Sequence, residues 1–193
     1  DLTPLRGLHR LISLDLSSCD SLVDLTPLSG LHQLTFLNLS QCSSLVDLSG
    51  LSGLHRLNSL NLCECESLVD LAPLSGLYQL TSLDLSGNRY GPKIVDLSGL
   101  NGLHQLTSLR LCHFKYVVDL SPISELHQLT ILDLSGCELL TKLDPLKNLK
   151  CLEILDLSNC GEIHSLDPLL NLPNLEWLSW ITKSKTSEVL LAS

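Results

Sequence analysis

Apolar positions along the chain follow one pattern that returns every 23 residues. Leu8, Leu11, Leu14 and Leu16 lead to Cys19 in the spacing Leu-x-x-Leu-x-x-Leu-x-Leu-x-x-Cys. Units start at Asp1, Asp24, Asp47, Asp70, Asp96, Asp119, Lys142 and Ser165, and only the unit from Asp70 to Val95 is longer, at 26 residues. Seven units are full, and the eighth, from Leu166 onward, decays after Leu178. Within each unit the alternation Leu14-Asp15-Leu16 predicts a short, half-buried strand. Stacked copies then make a parallel sheet with strands about 4.8 Å apart, so that eight span roughly 35–40 Å of arc. A turn follows, then Ser, Thr or Asp before Pro or Gly, as in Thr26-Pro27 and Asp144-Pro145. The hydroxyl or carboxylate before the proline is expected to cap the first turn of a short helix. Leu28 and Leu31 then point inward from the side opposite the sheet. One unit is too small to bury its own leucines, so only stacking creates a core.

This repeat resembles the leucine-rich-repeat family, most closely its short-repeat internalin-like and phosphatase-regulator-like subtype. The resemblance covers residues 1 to about 180 and rests on seven near-regular copies. It implies an α/β solenoid: a right-handed superhelix with a parallel concave sheet and short helical or 3-10 turns on the convex side. Cysteine replaces the usual asparagine at the end of the motif in five units; Asn88 keeps it, and Phe114 fills the slot in the fifth. Residues 1–180 are thus read as one leucine-rich-repeat domain of about eight repeats. Residues 181–193 form a C-terminal tail, either a cap that covers the last leucines together with Trp177 and Trp180 or the start of a further region. Full repeat strength at residue 1 and the absence of methionine are read as signs of a piece of a longer protein. Leucine occupies 54 of the 193 positions, as identical slots filled repeatedly would require.

Charge narrows the partners. A formal net charge of −9 argues against nucleic acid and against an anionic membrane surface. No apolar run approaches the 18 or more residues of a transmembrane helix, so no membrane insertion is expected. Cys19, Cys42, Cys65, Cys137 and Cys160 recur at one repeat position, where they read as buried free thiols donating weakly to the turn. Cys63-Glu64-Cys65 is too closely spaced for zinc, and its two side chains should diverge. Cys63 and Cys112 lie two units apart, roughly 10 Å, too far for a disulfide. A column of unpaired cysteines favours a reducing compartment, hence a cytoplasmic location, with the cell surface as the alternative. His9, His32, His55, His104 and His127 form a second column, read as a polar rim rather than a metal or pH-sensing site. Asp24, Asp47, Asp70, Asp96 and Asp119 form a third, whose carboxylates should accept bonds from turn N–H groups rather than bind calcium. No phosphate loop, nucleophile elbow or His-Glu-x-x-His motif is present, so no enzyme, metal or cofactor is expected.

Specificity should lie where the repeats differ. On the open face of the sheet one row reads Asp15, Asn38, Asn61, Asp84, Arg110, Asp133, Asp156, Ser179. Arg110 there is either a cross-strand ion-pair partner of Asp84 and Asp133 or a binding anchor. The neighbouring row reads Ser13, Phe36, Ser59, Ser82, Ser108, Ile131, Ile154, Trp177, and its last three members form an apolar stripe. That stripe meets either a partner or the tail folded back through Val189-Leu190-Leu191. A second candidate contact region is the expanded loop with Arg89 and Tyr90 beside His113 and Tyr116. The residues singled out for partner binding are therefore Phe36, Arg89, Tyr90, Arg110, His113, Tyr116, Ile131, Ile154 and Trp177. They predict a protein–protein interaction scaffold that recognises a macromolecular ligand on its concave face, as the recognition part of a larger intracellular sensor or regulator. The alternatives are a bacterial surface adhesin of internalin type, or regulatory repeats of an enzyme whose catalytic domain lies elsewhere. The chain is expected to be monomeric, or to associate weakly end to end through uncapped termini.

Overall fold

The computed structural model describes residues 1–87, 94–182 and 185–188. Each repeat contributes one strand to a single open sheet: β1 (Ser13–Asp15), β2 (Phe36–Asn38), β3 (Ser59–Asn61), β4 (Ser82–Asp84), β5 (Ser108–Arg110), β6 (Ile131–Asp133), β7 (Ile154–Asp156) and β8 (Trp177–Thr182). All eight run parallel in chain order, and each pairs one repeat on, as in Leu14↔Leu37↔Leu60. The longer fourth unit leaves this register intact, with Asp84 opposite Arg110. A ninth strand, β9 (Lys185–Glu188), runs antiparallel along β8 and pairs with Ser179–Thr182.

Away from the sheet the chain folds into 3-10 turns, from Thr3–Gly7 in the first repeat to Asp167–Leu169 in the eighth. The leucine spacing explains this choice. Leu25, Leu28, Leu31 and Leu34 are three apart, and the N–H of each of the last three donates to the carbonyl of the leucine before it, at 2.9–3.0 Å. Residues i and i+3 eclipse in a 3-10 helix, so all four side chains face inward. An α-helix would swing each successive leucine about 60° off that line.

The expected cap sits two residues earlier than Thr26-Pro27 implied. Leucine precedes each 3-10 turn, for example Leu25 and Leu48, and provides no side-chain cap. Thr26 lies inside the turn, where its carbonyl accepts from Ser29. Asp24 instead accepts from the Thr26 N–H at 2.8 Å, and Asp47, Asp70, Asp96 and Asp119 repeat the bond at 2.7–2.8 Å. These aspartate bonds are the ones expected of the column. They also hold the carboxyls of Asp24 and Asp119 below the ordinary range, through the hydroxyls and N–H groups of Thr26 and Ser121. At Asp47 the Ser49 N–H is the larger cause of the same shift.

Four members of the cysteine column, Cys42, Cys65, Cys137 and Cys160, are buried as expected, Cys19 is half-buried, and all eight cysteines are unpaired. Cys42, Cys65, Cys137 and Cys160 each donate Sγ–H to a carbonyl of the preceding repeat, on Leu16, Leu39, Leu111 and Leu134, at 3.1–3.5 Å. Burial pushes the thiols up, to about 12 at Cys65 and Cys160. Phe114 is fully buried in the same slot. Ser18, Gln41, Glu64, His113 and Asn159 occupy the left-handed region at φ +56° to +62°. Each such residue costs about 1–2 kcal/mol relative to glycine. The turn nevertheless keeps the sheet ladder running, since the N–H groups of Ser18, Gln41, Glu64 and His113 bond to the next repeat at 2.7–2.8 Å.

Two outcomes test this account. Gly50 stands where other repeats have proline, and a Cβ there would press into the backbone carbonyl of Leu25. Gly50→Ala should therefore lower the unfolding free energy by about 1–3 kcal/mol in a urea titration; a change within experimental error would refute the close approach. The aspartate bonds set the acid limit. Because the folded values of Asp24, Asp47 and Asp119 lie below the ordinary 3.8, their contribution is complete above that pH and is lost as pH falls through the folded values. Asp47→Asn should flatten that acid-side loss in thermal melts between roughly pH 5 and 2.

Candidate recognition surface

The sheet presents two rows of outward side chains, because strand residues alternate between faces. Parallel registration places Ile131, Ile154 and Trp177 on adjacent strands, one directly beside the next. Trp177 and Ile154 are 43% and 37% exposed, while Ile131 is half-buried. Apolar surface of this size has no neighbour within the described part of the chain that requires it. The β9 backbone extends the sheet sideways along β8 at its Ser179–Thr182 end. Residues 189–191, which were considered as a cover for the stripe, lie outside the described residues.

Phe36 stands apart from that stripe, with the three serine strands β3–β5 between it and Ile131. Ser59, Ser82 and Ser108 floor the resulting trough, a cavity of about 250 Å³ with Phe36 at one end and Arg110 at the other. Asn61 and Asp84 line its side. Short hydroxyl side chains between large ones create the depression without any break in the sheet.

Arg110 does not form the cross-strand ion pairs considered for it. Among the described residues neither Asp84 nor Asp133 comes within 4 Å of its guanidinium, although both strands flank β5. Those carboxylates bond instead to the turn that follows their own strand. Asp84 accepts from the Ser86 N–H at 2.9 Å, and Asp133 accepts from the N–H and hydroxyl of Ser135 at 2.9 and 2.6 Å. Asp15, Asn38, Asn61 and Asp156 make the same bond to the residue two on, at 2.8–3.0 Å. The acidic row thus stitches the strand-exit turns, and exposed Arg110 interrupts it with a free cationic head.

His113 and Tyr116 lie after β5, off the sheet on the flank where the chain leaves the strands. The His113 ring packs over Gly136, where a Cβ could not fit. Lys115 reaches Glu138 at 3.7 Å, and Tyr116 is 46% exposed. Arg89 and Tyr90 lie outside the described residues. The structure therefore separates the predicted contact residues into two surfaces: Phe36, Arg110, Ile131, Ile154 and Trp177 on the sheet, and His113 and Tyr116 on the flank.

The histidine column serves the scaffold. Nδ1 of His9, His32, His55 and His104 bonds a carbonyl 21 residues on, at 3.2–3.3 Å, which joins each repeat to the next. Lys150 takes the same column position and donates Nζ–H to Asn171 O at 2.9 Å. The open-face thiols are poorly suited to nucleophilic work. Burial raises Cys63 to about 11, and Cys112, also raised by burial, accepts the Ser135 hydroxyl at 3.2 Å. Among the described residues no group of three or more His, Cys, Asp or Glu side chains is placed to hold a metal ion. No described helix is long and apolar enough to cross a membrane.

Neither a family model nor a curated protein matches the chain. Solved structures do. Internalin C2 of Listeria monocytogenes superposes with a TM-score of 0.81 at 32% identity, over 91% of this chain and 74% of that one. Another internalin of the same organism, inlF, gives 0.62 at 25% identity, over 92% of this chain and 63% of that one. The mouse RP105/MD-1 complex gives 0.67 at 25% identity, where the match covers 88% of this chain but only 30% of the mouse chain. Repeat spacing, the sheet of one strand per repeat, the 3-10 turns and identity of 32% over nearly the whole of these residues agree: the chain belongs to the leucine-rich-repeat proteins.

Proposed function

We propose that this chain is a protein-recognition scaffold that engages a macromolecular partner on its concave sheet, and that it performs no catalysis itself. One observation carries this reading: Ile131, Ile154 and Trp177 stand side by side in a row that the other repeats, Phe36 apart, fill with serine. Serine would serve a solvated sheet at all three positions. Large adjacent apolar groups with a lone arginine nearby match the composition of binding hot spots. Arg110 is the charged anchor, since its head is not engaged by Asp84 or Asp133, and the trough beside it accepts a side chain that ends against Phe36. A fold relative seen together with a second protein, mouse RP105 with MD-1, supports a protein as the partner class.

The eight unpaired cysteines favour a reducing interior, and with it the recognition part of a larger intracellular sensor or regulator. The likeness to internalin C2 favours the second reading, a bacterial surface adhesin. Fractionation of source cells separates the two: the parent protein with cytosolic markers supports the first, and surface labelling of intact cells supports the second.

Replacement of Ile131, Ile154 and Trp177 by serine should abolish capture of the partner from source-cell extract, while the circular-dichroism spectrum and Tm stay unchanged. Each anchor is worth about 2 kcal/mol or more, roughly 30-fold in Kd. Arg110→Glu should weaken binding and reduce its salt dependence. Loss of Tm without partner present would make the stripe internal packing, and undiminished capture would remove it from the interface.

A further inference from the structure

A second apolar stripe runs along the flank where the chain leaves the strands. Val23, Val46, Val69, Val95 and Val118 occupy one position in five consecutive repeats, and each is between 48% and 60% exposed. A β-branched side chain suits the extended backbone ahead of each 3-10 turn. That requirement does not explain valine, because Thr141 fills the same position in the seventh unit with the same branching and a hydroxyl for water. Five solvent-facing valines in place of threonines therefore need another cause. At the far end the stripe broadens, with Tyr116 46% and Leu139 52% exposed two residues ahead of Val118 and Thr141.

Beside each valine stands a carboxylate: Asp24, Asp47, Asp70, Asp96 and Asp119, all exposed. Among the described residues none of the five is in an ion pair. The column is tight enough for Asp24 to oppose ionisation of Asp47, yet the turn bonds hold it in place. An apolar ridge bordered by fixed negative charge is complementary to an apolar ridge bordered by positive charge. It is the wrong partner for an anionic lipid surface, as is a chain of net charge −9.

Spacing selects the shape of the occupant. Bonds between neighbouring loops on this flank, Ser43 Oγ–H to Asp20 Oδ1 at 3.3 Å and Ser67 Oγ–H to Ser43 O at 2.6 Å among the valine repeats, and Leu139 N–H to Lys115 O at 3.2 Å at their far end, keep successive repeats about one strand spacing apart. That spacing is about 4.7–4.9 Å, close to the ~5.4 Å turn of an α-helix. Same-face residues of an extended strand recur at ~6.6 Å and lose register after two repeats. Five valines span roughly 19 Å, the length of about 13 helical residues.

We propose that the Val23–Val118 stripe and its aspartate border form a docking surface for a basic amphipathic α-helix of a partner protein. The helix lays its i, i+3/i+4, i+7 face along the valines and its Lys or Arg residues against the aspartates. This surface is distinct from the concave sheet and independent of its function.

The test uses a dye-labelled helical peptide of about 18 residues, with leucines at i, i+3/i+4, i+7 and lysines beside them, read by fluorescence anisotropy against the whole chain. Binding should weaken with added salt and fall about tenfold or more in Val46→Thr/Val69→Thr/Val95→Thr, a variant expected to keep its spectrum and Tm because Thr141 is tolerated. Val46→Lys/Val69→Lys should abolish binding by charge repulsion. The serine replacements at Ile131, Ile154 and Trp177 should leave it unchanged. The proposal is overturned by no binding, by equal binding of a scrambled or glutamate-bearing peptide, or by insensitivity to both valine variants. A lowered Tm in the threonine variant would make the stripe a packing element. Binding to phosphatidylserine vesicles in preference to the peptide would make the occupant a membrane.

Discussion

No repeat in this molecule can bury its own leucines; the next repeat buries them. The first described repeat illustrates the constraint, because within the described residues only its far side is packed. Leu8 is 47% exposed there, while its counterparts Leu31, Leu54 and Leu77 are at 0%. Leu2, Leu5, Leu11, Leu14 and Leu16 are only partly buried against the same core. At about 1.5–3 kcal/mol for each leucine taken fully out of water, the interface between repeats supplies the stability, and the isolated repeat has little of its own. Leucine at three-residue intervals fixes the 3-10 turns, and leucine on alternate strand residues fixes which face of the sheet is open.

Polar groups obey the same constraint. Strand amides, the thiols of Cys42, Cys65, Cys137 and Cys160, Nδ1 of His9, His32, His55 and His104, and the Lys150 ammonium bond across the gap to an adjacent repeat. The thiol and the imidazole bracket the sheet, one at the strand exit and one before its entry. Exchange of His for Lys at residue 150 preserves the bond although the chemistry differs, whereas His127 turns to the Glu125 carboxylate at 3.2 Å. Left-handed residues such as Gln41 and Glu64 are tolerated for a related reason: the turn that strains them also aims their N–H groups at the next repeat.

Strand positions, register, the inward leucines and the buried cysteine column were legible in the sequence because each depends on side-chain type at a fixed interval. Aspartate bonding to the turn was legible too, but the cap was misplaced onto Thr26, since proline's preference for an early helical position says nothing of which preceding residue turns back. The left-handed column escaped notice because Ser18, Gln41, Glu64, His113 and Asn159 share a backbone conformation and no chemistry. The two roles open to Arg110 could not be separated in the sequence, because charge sign was visible while the placement of its side chain relative to Asp84 and Asp133 was not. Adjacency of Ile131, Ile154 and Trp177 followed directly from the repeat period, whereas the separation of Tyr116 from them required the path of the loop.

Repeat proteins invite the rule that regular positions build the scaffold and irregular ones bind. The rule works on the concave sheet, where serine gives way to isoleucine and tryptophan in three successive strands. It fails for the valines. A position repeated five times is discounted as architecture, yet architecture requires burial or a hydrogen bond, and Val23 through Val118 have neither a covered side chain nor a polar atom to offer. The sharper criterion is whether a repeated residue does something for the adjacent repeat. Leucine, cysteine and histidine pass it through contacts described above, aspartate bonds only the turn of its own repeat, and valine has neither role. What such a column gains from repetition is length, an apolar edge that no single substitution could create.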